Sequence, residues 1–195
     1  GKHVIVSSIE HPAVLESAQW LGRLGYDITV LDVDHKGIVA PETLAAALRD
    51  DTTLVSIQYA NNEVGSIQPI AELAEVAGDV PFHTDAVQAA GWLDLDVGRL
   101  GIQAMSISGH KIGAPKGIGI LFVQRRTPFE PLIHGGGQES GRRSGTENVA
   151  SAIGMSTALR SAGGSPAATI GKRDDFIAAV LTKVPGAQLT GHPAL

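Results

Sequence analysis

The apolar positions of this chain change period from one short segment to the next. HVIVSS (His3 to Ser8) is an almost unbroken β-branched run, and PAVLESAQWLGRLGY (Pro12 to Tyr26) follows with apolar residues spaced for one face of a helix. Pro12 suits the first turn of that helix, where its missing N–H costs nothing, and Gly25 suits its terminator. The alternation continues with strand DITVLDV, helix PETLAAALRD, strand TLVSIQYA, helix PIAELAEVAG, and strands PFHTDA and AMSIS. Strands apolar along their whole length belong in a parallel sheet covered on both sides. GIGILFVQRR (Gly117 to Arg126) predicts one further strand. The glycine-rich connection before it is too short for a crossover helix, so this strand should run antiparallel. The expected fold class is α/β: a mostly parallel sheet with one antiparallel strand and helices on both faces.

SAGGSPAA (Ser161 to Ala168) breaks the pattern with small residues and a proline, and predicts a linker. IGKRDDFIAAVLTKV then predicts about one helix, too little for a core of its own. Residues 1–162 thus read as part of a large domain, and residues 163–195 as a linker and the start of a second.

Composition narrows the chemistry. Hydrophobic residues make up 43% of the 195 and aromatic residues only 4%, so the core must be built from Val, Ile, Leu and Ala. Fifteen basic against twenty acidic residues, a net charge of −5, argue against a surface for the phosphate backbone of nucleic acids. No apolar run approaches the length of a membrane span and no leader opens the chain, so cytoplasm is the expected compartment, with neither nucleic acid nor membrane as a partner. With no cysteine at all, disulfides, thiolate zinc sites and a cysteine nucleophile are absent from these residues.

In a doubly covered parallel sheet, ligands bind at the carboxyl ends of the strands. The polar residues cluster there: His11 after the first strand, Asn61, Asn62 and Glu63 after TLVSIQYA, Asp85 and Gln88 after PFHT, and Ser108, His110 and Lys111 after AMSI. Four strand ends are expected to meet at one site. A lysine flanked by a serine and a histidine that can bind phosphate suits covalent attachment of pyridoxal phosphate. That cofactor needs a carboxylate against its ring nitrogen, a place open to Asp85, while Gln88 is placed for the ring hydroxyl. His11 suits either ring stacking and proton transfer or a plain exposed turn. Lys116, in APKGIG, reads as a turn lysine, and the glycines around it lack the Lys-Ser/Thr tail of a nucleotide-binding loop.

IHGGGQESGRRSGTENV (Ile133 to Val149) is either a mobile anion-binding loop or a solvated loop with surface arginines. It leads into a helix with Thr146 as its expected N-cap. His134 reads as a packing residue, no metal spacing is present, and the pairs Asp94/Asp96 and Asp50/Asp51 read as surface charge.

In order, EHPAVL, NNEVGSIQPI, HTDAVQ, SGHKIGAPKGIG and HGGGQESGRRSGT resemble the successive signatures of the cysteine desulfurases. These belong to the class V aminotransferase group of fold type I pyridoxal-phosphate enzymes. The resemblance covers roughly His3 to Ala162. It implies that Lys111 holds the cofactor covalently, Asp85 pairs the ring nitrogen, Gln88 the ring oxygen, and His11 stacks on the ring. Asn62 would lie near the ring oxygen and the substrate, and Ser108 and His110 would bind the phosphate. Thr146 would reach the phosphate of a neighbouring subunit, making the site depend on a homodimer. The implied reaction takes L-cysteine to L-alanine, with Lys111 and His11 handling protons, and delivers the sulfur as a persulfide to a sulfur acceptor or iron–sulfur scaffold protein.

The family's glycine-rich amino-terminal phosphate loop, its persulfide cysteine and its carboxylate-binding arginine have no counterpart in these residues. The chain therefore reads as the middle of a longer enzyme, inactive in isolation. Two other readings stand beside this one. The absence of cysteine fits a class V relative that needs none, such as a selenocysteine lyase, a C–S lyase or an epimerase. An incomplete cofactor shell fits a non-catalytic dimerising or scaffold-docking piece.

Overall fold

A computed structural model describes residues 1–163 and 166–192. The elements follow the alternation of the sequence: β1 (His3–Ser7), α1 (Pro12–Arg23), β2 (Asp27–Leu31), α2 (Pro41–Ala47), β3 (Thr52–Ser56), α3 (Ile70–Ala77), β4 (Phe82–Asp85), α4 (Val97–Leu100), β5 (Ala104–Ser108), β6 (Gly119–Val123), α5 (Val149–Ser161) and α6 (Pro166–Lys183). Short 3₁₀ turns cover Gly109–Lys111 and Glu139–Gly141.

The strands form one six-stranded sheet in the order β2-β1-β3-β4-β5-β6. Every pairing is parallel except β5 with β6, which is antiparallel, with Ser108 opposite Gly119. The short connection admits no other direction.

Alternation along β1 shows how both faces are covered. Val4 and Val6 pack with Ala18 of α1 on one face. Ile5 points the other way, into the main core with Leu44 of α2, Leu73 of α3, Val55, Phe82 and Met105. Leu54 and Val55 on β3 divide between the faces in the same manner. Burying such side chains contributes about 1.5–3 kcal/mol each, which is why the central strands are apolar throughout.

The differences from expectation lie at element ends. α1 stops at Arg23 because Gly25 turns left-handed at φ 88°, letting the Tyr26 N–H reach back to the Leu21 carbonyl. β3 ends at Ser56, with a single bridge between Ala60 and Ile67 beyond it. α5 is capped by Asn148, whose Oδ1 accepts the Ser151 N–H at 3.1 Å, and not by Thr146, which lies two residues too early. The pair read as surface charge has structural work: Asp96 Oδ1 caps α4 by accepting the Gly98 and Arg99 N–H groups, and Asp94 grips Arg99 through both oxygens. The expected linker starts late, since α5 runs through Ser161, and α6 begins at Pro166. Gly164 and Ser165, the middle of that linker, lie outside the described residues.

Candidate active site

The turn after β1 carries His11 as the N-cap of α1. Its Nδ1 accepts the Ala13 N–H at 3.1 Å, which leaves Nε2 as the ring nitrogen open to solvent. The loop after β3 closes against this turn. Asn61 Oδ1 accepts the N–H groups of Glu63 and Val64, while its Nδ2 donates to the Ile9 carbonyl at 2.9 Å. The two segments enclose a groove of about 310 Å³ lined by Glu10, His11, Asn61, Asn62 and Glu63, among others.

Asp85 ends β4 and is only 6% exposed. Its Oδ1 accepts the Val87 N–H at 2.9 Å, and its carbonyl accepts the Tyr59 N–H. Two residues earlier on the same strand, His83 bridges Ser56 and Ser106 at 2.8 and 2.9 Å, and burial holds its pKa below the ordinary value. Thr84 points the other way and donates to the Ile57 carbonyl. β4 is thereby pinned to β3 and β5, and Asp85 inherits that rigidity. Gln88 follows on the next turn, half-buried.

At the end of β5 the chain makes its 3₁₀ turn. A Cβ on Gly109 would stand 2.6 Å from Ile118 Cγ2 and 3.0 Å from Ala114 Cβ, so the tight return toward β6 requires glycine there. The turn presents Ser108 Oγ and His110 Nδ1 to each other at 2.8 Å. Lys111 is exposed and lines a second groove of about 210 Å³ with Gly91, Trp92, Ile112 and Ala162. Lys116 lies in an exposed turn.

The expected residues are ranged along the carboxyl ends of the parallel strands. His11 and Asn62 share the first groove and Lys111 lines the second. The strand order explains the separation: β3 and β4 stand between β1 and β5, and three strand spacings amount to about 14 Å. Asp85 lies between, on β4. Thr146 is exposed ahead of α5 and lines neither groove. In the loop before it, Arg142 and Arg143 donate to the carbonyls of Val123 and Ser144, while Glu139 and Ser140 adopt left-handed φ values of 50° and 57°.

Asn61 was placed after TLVSIQYA by the sequence without a role, and Glu10 escaped the sequence reading altogether. Asn61 holds the groove shut, and Glu10 is a carboxylate only 5% exposed beneath it. Burial pushes the Glu10 carboxyl up to about 7, hydrogen bonds from Ser7 and Gln58 oppose the shift, and the charge of Asp85 adds to it. The only local signal was a Glu between a buried strand and a helix cap.

Among the described residues no cluster of His, Asp or Glu could hold a metal ion. The donor set suits a phosphorylated aromatic aldehyde instead: an exposed primary amine at Lys111, a buried carboxylate at Asp85 with one oxygen engaged by Val87, and a hydroxyl–imidazole pair at Ser108 and His110.

The model of the class V aminotransferases matches residues 1–191. The chain is 46% identical to the cysteine desulfurase IscS of Methanosarcina thermophila, over 99% of this chain and 49% of that protein. Its fold superposes on the crystal structure of DndA from Streptomyces lividans with a TM-score of 0.85 and 37% identity, covering 99% of this chain and 57% of that one. A structure described as SspA in complex with cysteine matches with a TM-score of 0.79 and 42% identity, over 82% of this chain and 47% of its own. The chain spans about half the length of the curated relatives it matches.

Proposed function

Because the chain belongs to the class V aminotransferase family, we propose that it supplies the cofactor-binding part of a pyridoxal-phosphate-dependent cysteine desulfurase, which takes L-cysteine to L-alanine and passes on the sulfur. The observation that carries this reading is the buried carboxylate of Asp85 at the end of β4, beside the strand whose turn presents Ser108, His110 and Lys111.

In this reading Lys111 Nζ holds the cofactor covalently and Asp85 keeps its ring nitrogen protonated, while Ser108 Oγ and His110 bind its phosphate. Gln88 and Asn62 would serve its ring oxygen. When bound, the cofactor supplies an electron sink for carbanion charge. Once the substrate amine has displaced it, Lys111 Nζ, which is exposed, would be free to move the proton at the substrate α-carbon. His11 would stack on the ring and move protons through Nε2, since Nδ1 is engaged by Ala13. Thr146 serves the phosphate site of a second copy, so the working form is a homodimer. Residues 1–162 belong to the large domain, and residues 163–195 lead into a smaller one.

Sulfur transfer needs a thiolate, and none of the 195 residues is a cysteine. We assign that thiol, and the arginine for the substrate carboxylate, to other parts of the protein. The acceptor is a sulfur-carrying or iron–sulfur scaffold protein. We place the enzyme in the cytoplasm; among the described residues no helix is long and apolar enough to cross a membrane. The lack of cysteine also favours a second reading, a class V relative that cleaves or epimerises without a thiol. A cysteine on a Gly/Ser-rich loop of the full-length protein would decide for desulfuration.

The test is Lys111→Ala in the full-length protein. It should abolish both the absorption band of the covalently held cofactor and cysteine-dependent alanine release. Retention of either would overturn the assignment.

A further inference from the structure

Glu10 has no part in the roles assigned above, yet it is bonded at the junction of the strand ends. Its Oε1 accepts the Ser7 hydroxyl at 2.6 Å and the Gln58 N–H at 2.5 Å, while Oε2 is buried with no hydrogen-bond partner among the described residues. Gln58 and Tyr59 are consecutive residues just beyond β3. Glu10 takes the N–H of the first, and the Asp85 carbonyl takes the N–H of the second at 2.9 Å. The two acidic residues thus flank one short extension of β3 from its two neighbours in the sheet, β1 and β4. Asn61 completes the clamp by donating to the Ile9 carbonyl. A buried oxygen without a donor is a costly place for negative charge, and a neutral carboxylic acid avoids that cost while its other oxygen still accepts both hydrogen bonds.

We infer that Glu10 is a positioning residue: its uncharged carboxyl group clamps the turn that presents His11 to the end of β3, across from the buried carboxyl of Asp85. The inference rests on the reading of His11 and Asp85 given above. The titratable groups around Glu10 support it. Asp85 stands on the β4 side, His11 follows on the same turn, and Glu63 lines the groove from the loop after β3. Among the described residues no lysine or arginine lines that groove to neutralise a second carboxylate. Burial, reinforced by Asp85, brings the Glu10 carboxyl to about 7, so it keeps its proton through mildly acidic pH.

Two measurements on the full-length protein test this. The first reads the carboxyl directly, by infrared difference spectra of the cofactor-free protein against Glu10→Gln. A protonated-carboxyl stretch should be present at about pH 6, fade through about pH 7, and be missing from the variant. Absence of that band in the parent would overturn the inference. The second uses the cofactor-loaded protein. Glu10→Ala should lower kcat about tenfold or more with its cofactor content retained, as expected when a catalytic group is misplaced. Glu10→Gln, which keeps a neutral acceptor in place, should recover most of that loss and lack the parent's transition near pH 7 in the kcat profile. A Gln variant as impaired as Ala would overturn the inference. Because the infrared titration needs no cofactor, it stands or falls separately from the assignment of Lys111.

Discussion

Replacing Glu10 by Gln should make stability less dependent on pH, in a direction fixed by where the proton sits. The folded chain holds this carboxyl at about 7, against an ordinary value of 4.5. Between those values the folded state keeps a proton that the unfolded state has released. By linkage, stability then falls as pH rises through that window. Below it both states are protonated and nothing is lost; above it the whole cost is present. The interval corresponds to about 3 kcal/mol, since each pKa step is worth ~1.4 kcal/mol. Gln cannot ionise, so the variant escapes this term while keeping an amide oxygen for the Ser7 and Gln58 donors. The assay is urea unfolding of the cofactor-free full-length protein and its Glu10→Gln variant from about pH 4 to about pH 8, followed by circular dichroism. The stability difference should move in favour of the variant by about 3 kcal/mol across that range, most of the change falling between pH 4.5 and about 7. A difference independent of pH would mean that Glu10 ionises in the folded protein as it does in water, and the account of its burial would be wrong.

Asp85→Ala in the full-length enzyme should leave the cofactor attached but reduce turnover by several powers of ten, on the order of the ~4 kcal/mol lost when a preorganised electrostatic partner is deleted. Near-normal turnover would reduce Asp85 to the cap of Val87. Gly109→Ala should destabilise the fold by about 1–3 kcal/mol, because its Cβ would be driven to 2.6 Å from Ile118 Cγ2; an unchanged melting temperature would show that the β5–β6 connection yields easily.

Much of the fold was legible because its strands are buried on both faces and so declare themselves as apolar runs. The direction of β6 followed from the length of a connection. What could not be read depended on contacts distant in sequence or on helices too short for a period. α4 is a four-residue helix held by the Asp96 side chain, and nothing in its apolar pattern announces it. Asn148 and Thr146 are both competent caps, and only the backbone after the loop decides between them.

The candidate site was legible in which strand ends carry its residues and not in its spacing. A histidine, an aspartate and a lysine after β1, β4 and β5 point to the carboxyl ends of the parallel strands, and that is where they lie. Sequence order says nothing of how many strands intervene, however, so the separation of Lys111 from His11 had to await the topology. Glu10 was hidden for a related reason. Beside His11 in the sequence it looks like one more acidic residue of a turn. Its character comes from the Gln58 N–H, 48 positions away, and from the charge of Asp85. The same contacts give a consequence for Asp85. If that charge helps keep Glu10 neutral, removing it in Asp85→Asn must lower the pH at which Glu10 loses its proton, even though no atom of Glu10 has changed. The proton on Glu10 thus depends on a charge carried by the neighbouring strand, across the extension of β3 that both residues hold.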